Sequence, residues 1–351
     1  MIRHRAAGGQ SVSRGVSRVG CRQPAFALAT AGNPGYTEPF PSRLRPLNFH
    51  TTVPPPTTTP KVAVVVLTWN GKSLTMECLE SLAAVTWGNM ETVVVDNHST
   101  DGTAEAIKSS YGERVSILVN HENIGFSRGN NVGIEHALER GADWVLLLNN
   151  DTIVDPGLVS ALVEAAVRSP DIGVVGPKIY YSDPADRIWS AGGEVFLSRG
   201  TARHIGIRER DTGQYDTAHD VDYVSGCALM ASRAVFETIG ALDPSYTAYF
   251  EDTDFCMRAR RNGFRVRYAP AAIVWHRIST STGGQLGSRK VMRKLKSSIR
   301  FFRRYASPHH WLTIPLFFAF DVIRILILVV TGRIRNTPDV GDTSTQNGGE
   351  T

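Results

Sequence analysis

Cysteine is scarce in this sequence, and its placement excludes two classes of small domain. The 351 residues contain four cysteines, Cys21, Cys78, Cys227 and Cys256, with no Cys-x-x-Cys pair and no histidine spacing typical of zinc. The pattern therefore predicts neither a zinc module nor a disulfide framework. It favours a reduced, cytosolic setting.

Acidic residues are missing from two long stretches, residues 1–37 and 255–320. Both stretches carry arginine, so each end of the chain has a positive field that the formal net charge of +5 conceals. We expect the second stretch to contact an anionic partner.

A core-forming apolar segment is missing from residues 1–60, which are rich in Arg, Gly, Ser, Thr and Pro and end in Val-Pro-Pro-Pro-Thr-Thr-Thr-Pro. They also lack the apolar run of a secretory signal, although the acid-free, Arg-rich start superficially resembles an organellar transit peptide. This composition predicts a disordered basic tail or an overlong start site.

From Lys61 onwards, strands and helices alternate. Residues 62–67 form a continuous apolar run that is typical of a buried parallel strand. Further strands are predicted at 92–95, 115–119 and 144–148, and helices at 73–84, 104–110 and 128–140. Strands separated by helices predict βαβ units and hence a parallel sheet.

Polar clusters follow three of these strands: Thr68-Trp69-Asn70, Asp96, and Asn149-Asn150-Asp151. Ligands of such sheets bind beyond the carboxyl ends of the strands, so we expect the clusters to share one crevice. The first strand lacks a Gly-x-Gly-x-x-Gly motif, which argues against a dinucleotide-type Rossmann site.

Four ordered motifs and a later acidic segment resemble glycosyltransferase family 2, and most of all its rhamnosyltransferase-type members. The motifs are Thr-Trp-Asn-Gly at 68–71, Val-Asp-Asn-His-Ser-Thr-Asp-Gly at 95–102, Asn-Ile-Gly-Phe-Ser-Arg-Gly-Asn-Asn at 123–131 and Leu-Asn-Asn-Asp at 148–151. The acidic segment is Tyr-Phe-Glu-Asp-Thr-Asp-Phe at 249–255. The resemblance covers residues 62 to about 280 and implies an α/β fold of the GT-A type, with a mostly parallel central sheet flanked by helices.

The resemblance divides the chain into a nucleotide-sugar-binding half at 61–155 and an acceptor-binding and catalytic half at 156–285. It implies these donor-binding residues: Thr68, Asn70, Asp96, Asn97, Gly125, Asn130, Asn150 and Asp151. The matched position of Asp96 contacts the nucleotide base in the family. From the local pattern alone, Asp96 is equally suited to an Asx-turn or a helix cap.

The resemblance also implies a divalent metal, Mg²⁺ or Mn²⁺, because Asn149-Asn150-Asp151 stands where the family has its metal-binding DxD motif. Asn149 replaces the first aspartate, so Asp151 is the only carboxylate left there, and His276 is expected to complete the coordination. Hard oxygen-seeking cations suit a departing diphosphate. The alternatives are a polar turn after a strand and a structural histidine.

Asp252 matches the family's general base, which takes the proton of the acceptor hydroxyl in an inverting transfer. Glu251 and Asp254, expected as acceptor-side or supporting residues, flank it at the start of a predicted helix that ends near Gly263. Plain capping by first-turn acids is the alternative. Trp189 could stack on an acceptor sugar, or it could be a half-buried core aromatic.

A basic amphipathic helix is predicted at 288–306, with an apolar row of Met292, Leu295, Ile299, Phe302 and Ala306. Residues 311–331 are mostly apolar but contain Pro315, Asp321 and Arg324. Together, residues 288–333 predict a C-terminal helical segment that associates with an anionic membrane surface without clearly spanning it. A disordered tail at 334–351 is expected to follow.

The sequence thus predicts a glycosyltransferase at the cytoplasmic face of the cell membrane, acting in cell-envelope polysaccharide synthesis. A dTDP-, UDP- or GDP-linked sugar, with rhamnose among the candidates, would pass to a glycan or lipid-linked acceptor, and no nucleic acid is involved. Asn149 motivates the alternative of a catalytically inactive scaffold or glycan-binding module. A sugar nucleotidyltransferase is disfavoured because the first strand lacks a Gly-rich phosphate loop.

Overall fold

Short apolar runs build the strands of this protein, as the computed structural model shows for residues 59–277 and 288–330. The strands are β1 (Val62–Thr68), β2 (Met90–Asp96), β3 (Val115–Val119), β4 (Trp144–Asn149), β5 (Thr152–Val154), β6 (Ile172–Tyr181), β7 (Ile188–Ser190), β8 (Gly193–Phe196), β9 (Thr201–His204), β10 (His219–Asp220), β11 (Ala228–Ser232) and β12 (Arg265–His276). The helices are α1 (Lys72–Ala83), α2 (Thr103–Tyr111), α3 (Phe126–Glu139), α4 (Leu158–Ala166), α5 (Arg233–Ile239), α6 (Glu251–Arg261), α7 (Ser288–Tyr305) and α8 (Pro308–Val330).

The central sheet is mixed: the predicted parallel strands are present, and antiparallel strands are added to them. Its main strand order is β10-β12-β6-β11-β4-β1-β2-β3, with β5 pairing to β12 and β7 to β6. Strands β4, β1, β2 and β3 are mutually parallel, whereas β11 runs antiparallel to both β4 and β6. Neighbouring parallel strands need a crossover connection, which is usually a helix. Residues 182–227, between β6 and β11, are all described and contain no α-helix, which fits the antiparallel pairing of these two strands.

Two glycines let α3 lie directly on the parallel strands. A Cβ atom at Gly133 would sit 2.3 Å from Val65 Cγ1, and one at Gly129 would sit 2.5 Å from Leu67 Cδ1. Both distances are far below van der Waals contact, so only glycine permits this close approach. Gly129 and Gly133 therefore serve helix packing.

The C-terminal helices pack on the second half of the domain. Phe301, Phe302 and Tyr305 of α7 are buried together with Tyr246 and Met257. From α8, Thr313 donates a hydrogen bond to the carbonyl of Ser198 (2.7 Å), in the turn between β8 and β9.

The predicted apolar row of α7 is divided between two surfaces. Phe302 is buried, whereas Met292, Leu295 and Ile299 remain 51%, 50% and 47% exposed. Within residues 59–277 and 288–330, no helix combines the length and the apolar character needed to cross a bilayer. The tails expected at 1–60 and 334–351 lie outside the described residues, except for 59 and 60.

Candidate active site

Three polar clusters meet at one edge of the sheet, as expected from the strand ends. In the parallel register, Thr68 of β1 lies beside Asp96 of β2, and Leu67 lies beside Asn149 of β4. Since the carboxyl ends of these strands point the same way, the loops after them form one side of a shared crevice.

The Asn150 side chain is hydrogen-bonded to the end of β1 and to α1. Its Nδ2 donates to Thr68 Oγ1 (3.2 Å) and to Thr75 Oγ1 (3.0 Å). A Cβ atom at Gly71 would come within 2.6 Å of that nitrogen, so glycine is needed there. Thr68 and Asn150 thus fix the position of the turn that carries Asp151.

Asn70 ties the loop after β1 to the loop after β2. It adopts a left-handed backbone (φ 48°), and its Oδ1 accepts from the amide of Thr100 at 2.7 Å. Asp96 is buried, and its Oδ1 accepts from the amide of Ser99 (2.7 Å), which is the turn bond that the local pattern allowed. Among the described residues, Asp96 Oδ2 has no hydrogen-bond donor, so that oxygen stays available to a ligand.

Asn97 and Asn130 hold the loop before α3 through their side-chain amides. Asn97 Nδ2 donates to Asn123 Oδ1 (2.9 Å), and its Oδ1 accepts from the amide of Ile124 (3.1 Å). Asn130 Nδ2 donates to the carbonyl of Phe126 at 3.0 Å. Gly125 has φ 85°, a conformation that favours glycine at this turn. These contacts give Asn97 and Asn130 a positioning role in the loop.

Asp151 and His276 come together from distant parts of the chain because β12 ends beside β5, pairing His276 with Thr152. His276 Nε2 lies 3.1 Å from Asp151 Oδ1. Burial by itself lowers the pKa of His276, but Cys227 and Asp151 outweigh it and raise that pKa to about 10. The imidazolium and the carboxylate therefore attract each other in the absence of a cation.

The same pair fits a hard divalent cation. Asp151 Oδ1 is buried without a hydrogen-bond donor of acceptable geometry, and His276 Nε2 is the ring atom that faces it. No group of three or more His, Cys, Asp or Glu side chains suited to a metal occurs in the described part of the chain. Two protein ligands are enough where phosphate oxygens and water complete the shell, which is usual for Mg²⁺.

Asp252 lies in the first turn of α6 and is held there by two amides. Its Oδ2 accepts from the amide of Gly226 (2.8 Å), and its Oδ1 accepts from the amide of Thr253 (2.6 Å). The preceding Tyr249 and Phe250 both have φ 68°, a conformation that costs about 1–2 kcal/mol per residue for side chains of this kind. Such strain is typical of functional sites, where it aims a side chain.

Glu251 differs sharply from the neighbouring Asp252. Its Oε2 atom is buried without a hydrogen-bond partner. Burial, with the Asp252 carboxylate close by, raises the pKa of Glu251 to about 8. Two adjacent carboxyl groups in such different environments are suited to different tasks.

A single peptide segment joins the two acidic centres. The amide of Asn149 donates to the carbonyl of Cys227 (2.9 Å), while the amide of the preceding Gly226 binds Asp252. Burial raises the pKa of the Cys227 thiol, and both Asp151 and Asp252 are close enough to raise it further. The turn that carries Asp151 and the carboxylate of Asp252 are therefore both attached to the Gly226–Cys227 segment.

Aromatic rings line the side of the crevice next to Asp252. Trp189 lies edge-on to His276 (4.8 Å between ring centroids) and 4.5 Å from His204. His204 in turn lies 5.6 Å from Tyr223. Burial lowers the pKa of His204 despite the nearby Asp252 carboxylate, so its imidazole is neutral at neutral pH. His204 and Tyr223 were not predicted, because no local motif surrounds them.

Asp254, expected on the acceptor side, is buried away from the crevice and anchors α7 to α6. Its Oδ2 accepts from Arg258 Nε (2.8 Å), and its Oδ1 accepts from Tyr305 OH (2.8 Å) and lies 3.1 Å from Arg304 NH1. This carboxylate is surrounded by protein on all sides, so its contribution is to structure.

The fold is that of the GT-A glycosyltransferases. A crystal structure of GalNAc-T7 with UDP, GalNAc and Mn²⁺ superposes with a TM-score of 0.55 at 17% identity, covering 69% of this chain and 48% of that one. A mannosyltransferase from Pyrobaculum calidifontis, in complex with GDP-Man and Mn²⁺, gives 0.50 at 17% identity, covering 79% and 81%. Likeness at this identity shows the shared fold alone.

The chain belongs to the glycosyltransferase-like family 2, which it matches over residues 60–294, and it is a glycosyltransferase. The predicted resemblance to rhamnosyltransferases is confirmed. An N-acetylglucosaminyl-diphospho-decaprenol L-rhamnosyltransferase of Mycobacterium tuberculosis is 29% identical over 239 residues, covering 63% of this chain and 77% of the relative. A dTDP-rhamnosyl transferase of Shigella flexneri is 23% identical over 228 residues, covering 62% and 69%.

Proposed function

We propose that the protein transfers a sugar, with rhamnose as the first candidate, from a nucleoside diphosphate to a lipid-linked glycan acceptor, with inversion at the anomeric carbon. The observation that carries this proposal is that the turn with Asp151 and the side chain of Asp252 are both bonded to the Gly226–Cys227 segment, through the Asn149–Cys227 and Gly226–Asp252 hydrogen bonds. Residues 61–155 form the donor half in this proposal, and residues 156–285 form the acceptor half.

Asp151 and His276 would hold a divalent cation, Mg²⁺ or Mn²⁺, which neutralises negative charge on the departing diphosphate. Solved proteins of the same fold contain Mn²⁺, which supports this choice. Asp96, with one oxygen available, would accept a hydrogen bond from the nucleotide. Asn70, Asn97, Gly125, Asn130 and Asn150 would shape the donor loops.

Asp252 would act as the base. Because the Gly226 and Thr253 amides donate to its two oxygens, the carboxylate is held in a fixed position. The acceptor oxygen forms a bond to the anomeric carbon while the bond from that carbon to the phosphate oxygen breaks. Asp252 takes the hydroxyl proton, and the nucleoside diphosphate leaves with the electron pair.

Association with a membrane would bring the enzyme to a lipid-linked acceptor. In α7, Met292, Leu295 and Ile299 form an exposed apolar row beside exposed basic side chains, a combination that suits an anionic leaflet. The cytoplasmic face of the cell membrane is the proposed location, because nucleotide-sugar donors are soluble there.

Release of free nucleoside diphosphate is the direct test of sugar transfer. We expect release from dTDP-rhamnose, or from one of a panel of UDP- and GDP-sugars, that depends on Mn²⁺ or Mg²⁺ and increases when a prenyl diphosphate-linked sugar is added. Failure with every donor, despite donor binding, would favour an inactive scaffold or glycan-binding module instead.

Leu295→Glu with Ile299→Glu tests the membrane proposal. Removing two half-exposed apolar side chains is expected to weaken binding of the full chain to vesicles with phosphatidylglycerol about tenfold. Val167→Glu, on an exposed side chain of the catalytic domain, is the control. Equal sedimentation of the double variant and the wild type would rule out this surface.

A further inference from the structure

The β8–β9 hairpin places the imidazole of His204 against two other rings. His204 ends β9 and pairs with Gly193 of β8, and directly opposite residues of an antiparallel pair share one face. A Cβ atom at Gly193 would overlap the ring of Tyr223, so glycine leaves this place to the tyrosine. The His204 ring centroid lies 5.6 Å from that of Tyr223 and 4.5 Å from that of Trp189. We call these three side chains the ring cluster.

The ring cluster connects the two parts of the site to which separate tasks are assigned above. At one end, Trp189 lies edge-on to His276, with 4.8 Å between the ring centroids. At the other end, Tyr223 stands three residues before Gly226, whose amide donates to Asp252 Oδ2 at 2.8 Å. The imidazole in the middle of the cluster is therefore placed where a sugar bound between these two parts would lie.

Hydrogen bonds determine which nitrogen of His204 carries the ring proton. Nδ1 lies 3.2 Å from Ser190 Oγ, and the same hydroxyl donates its one proton to the carbonyl of Gly192 at 3.1 Å. Nδ1 must therefore be the donor to Ser190. Burial lowers the pKa of His204, so the neutral ring has a single proton, and Nε2 has a lone pair.

The lone pair of His204 Nε2 is open to a ligand. Between residues 59 and 277 and in the two C-terminal helices, no group donates a hydrogen bond to this nitrogen. His204 is half-buried, and its Nε2 atom is not enclosed by protein. Because a neutral acceptor needs a donor, its natural ligand is a hydroxyl group, whereas ionised phosphate oxygens only accept. Ring faces around one well-placed polar atom are typical of a small-molecule site.

We propose that His204 Nε2 accepts a hydrogen bond from a hydroxyl group of the acceptor sugar, next to the hydroxyl that Asp252 deprotonates. Asp151 and His276 are placed for the diphosphate of the donor, and Tyr223 joins His204 to the segment that holds Asp252. His204 thereby selects acceptor sugars that have a hydroxyl at this position, because an acceptor without it leaves the nitrogen unpaired. This inference rests on the function proposed above.

Deoxy acceptors test the proposal with the wild-type protein. The parent acceptor is farnesyl diphosphate-linked N-acetylglucosamine, and its three analogues lack the hydroxyl at C3, C4 or C6 of the sugar. The analogue without the attacked hydroxyl gives no product. We expect one of the remaining analogues to have a KM about tenfold higher than the parent, because one hydrogen bond is lost, while KM for the donor stays the same.

The variant His204→Phe keeps a ring but removes both nitrogens. We expect it to raise KM for the parent acceptor about tenfold and to make the sensitive deoxy analogue no worse than the parent. His204→Gln, which places an amide oxygen near the position of Nε2, should restore most of the lost affinity. His219→Phe is the matched control, because His219 is also half-buried and packs on a tyrosine ring, that of Tyr268 at 5.3 Å.

The outcomes separate this proposal from the proposed function. If the wild type transfers sugar to no acceptor, the proposed function fails. If it transfers sugar but every usable deoxy analogue has the KM of the parent, the assignment of His204 is overturned, even where His204→Phe does not fold. A higher KM for the donor in His204→Phe, with an unchanged KM for the acceptor, would assign the hydroxyl to the donor sugar and overturn it as well. Equal defects and equally lowered melting temperatures for His204→Phe and His204→Gln would reduce His204 to a packing residue.

Discussion

The proposed donor edge and the proposed acceptor side are built in different ways. At the donor edge, Asn70, Asn97 and Asn150 connect neighbouring loops through side-chain hydrogen bonds, so the polar groups mostly hold one another. On the acceptor side, two strained residues precede Asp252, and Glu251 has a buried oxygen without a partner. The proposed donor edge is thus held in place by its own hydrogen bonds, whereas strained residues and an unpartnered buried oxygen are concentrated around Asp252, the proposed base.

The largest expected effect comes from Asp252→Asn. The amide keeps the shape but cannot accept a proton, so kcat should fall about 10²- to 10⁴-fold while donor binding persists. Initial rates of nucleoside diphosphate release measure this, with Asp186→Asn on the surface as control. Turnover near the wild-type rate would show that the acceptor side does not contain the base.

Asp254→Asn should reduce stability more than it alters chemistry. Removing a fully buried charge takes away the carboxylate partner of Arg258 and one of the two carboxylate partners of Arg304, which typically costs about 3 kcal/mol. Urea unfolding measures the change, and Asp243→Asn, which removes a partly exposed pair to Arg304, should cost less than about 1 kcal/mol. Equal stabilities for both variants would mean that Asp254 is not the anchor of α7.

Glu251→Gln should change how stability depends on pH. Because the folded state raises the pKa of Glu251 from 4.5 to about 8, its neutral form is favoured on folding. That contribution is complete below about pH 4.5 and is lost as the pH rises toward 8. We expect the melting temperature of the wild type to fall across this range, and Glu251→Gln to fall less. The variant Glu105→Gln should follow the wild type, and parallel curves for all three proteins would contradict the assignment.

The parallel half of the fold was predictable because its signals are local. Helix α1 was predicted at 73–84 and is found at Lys72–Ala83, and β3 has the predicted bounds. The convergence of Thr68, Asp96 and Asn149 followed from the rule for parallel strand ends. These elements are each formed within one short stretch of sequence, so periodicity was enough.

The acceptor half was less predictable because its contacts join distant residues. The antiparallel pairing of β11 with β4 links segments about 80 residues apart and has no local signature. His204 likewise comes next to Trp189 only through the β8–β9 hairpin. Asp254 lies in the same motif as Asp252, but nearby positions of a helix point in different directions. The Asp254 side chain is buried and accepts a hydrogen bond from Tyr305.

The most direct test of whether Asp151 and Asp252 have separate tasks is a calorimetric measurement of donor binding. The full chain is measured with and without Mn²⁺, as the wild type and as the variants Asp151→Asn and Asp252→Asn. We predict that Asp252→Asn binds the nucleotide sugar as tightly as the wild type does. Asp151→Asn should lose the part of the affinity that depends on Mn²⁺. Loss of the Mn²⁺-dependent affinity in Asp252→Asn, or retention of that affinity in Asp151→Asn, would contradict the account.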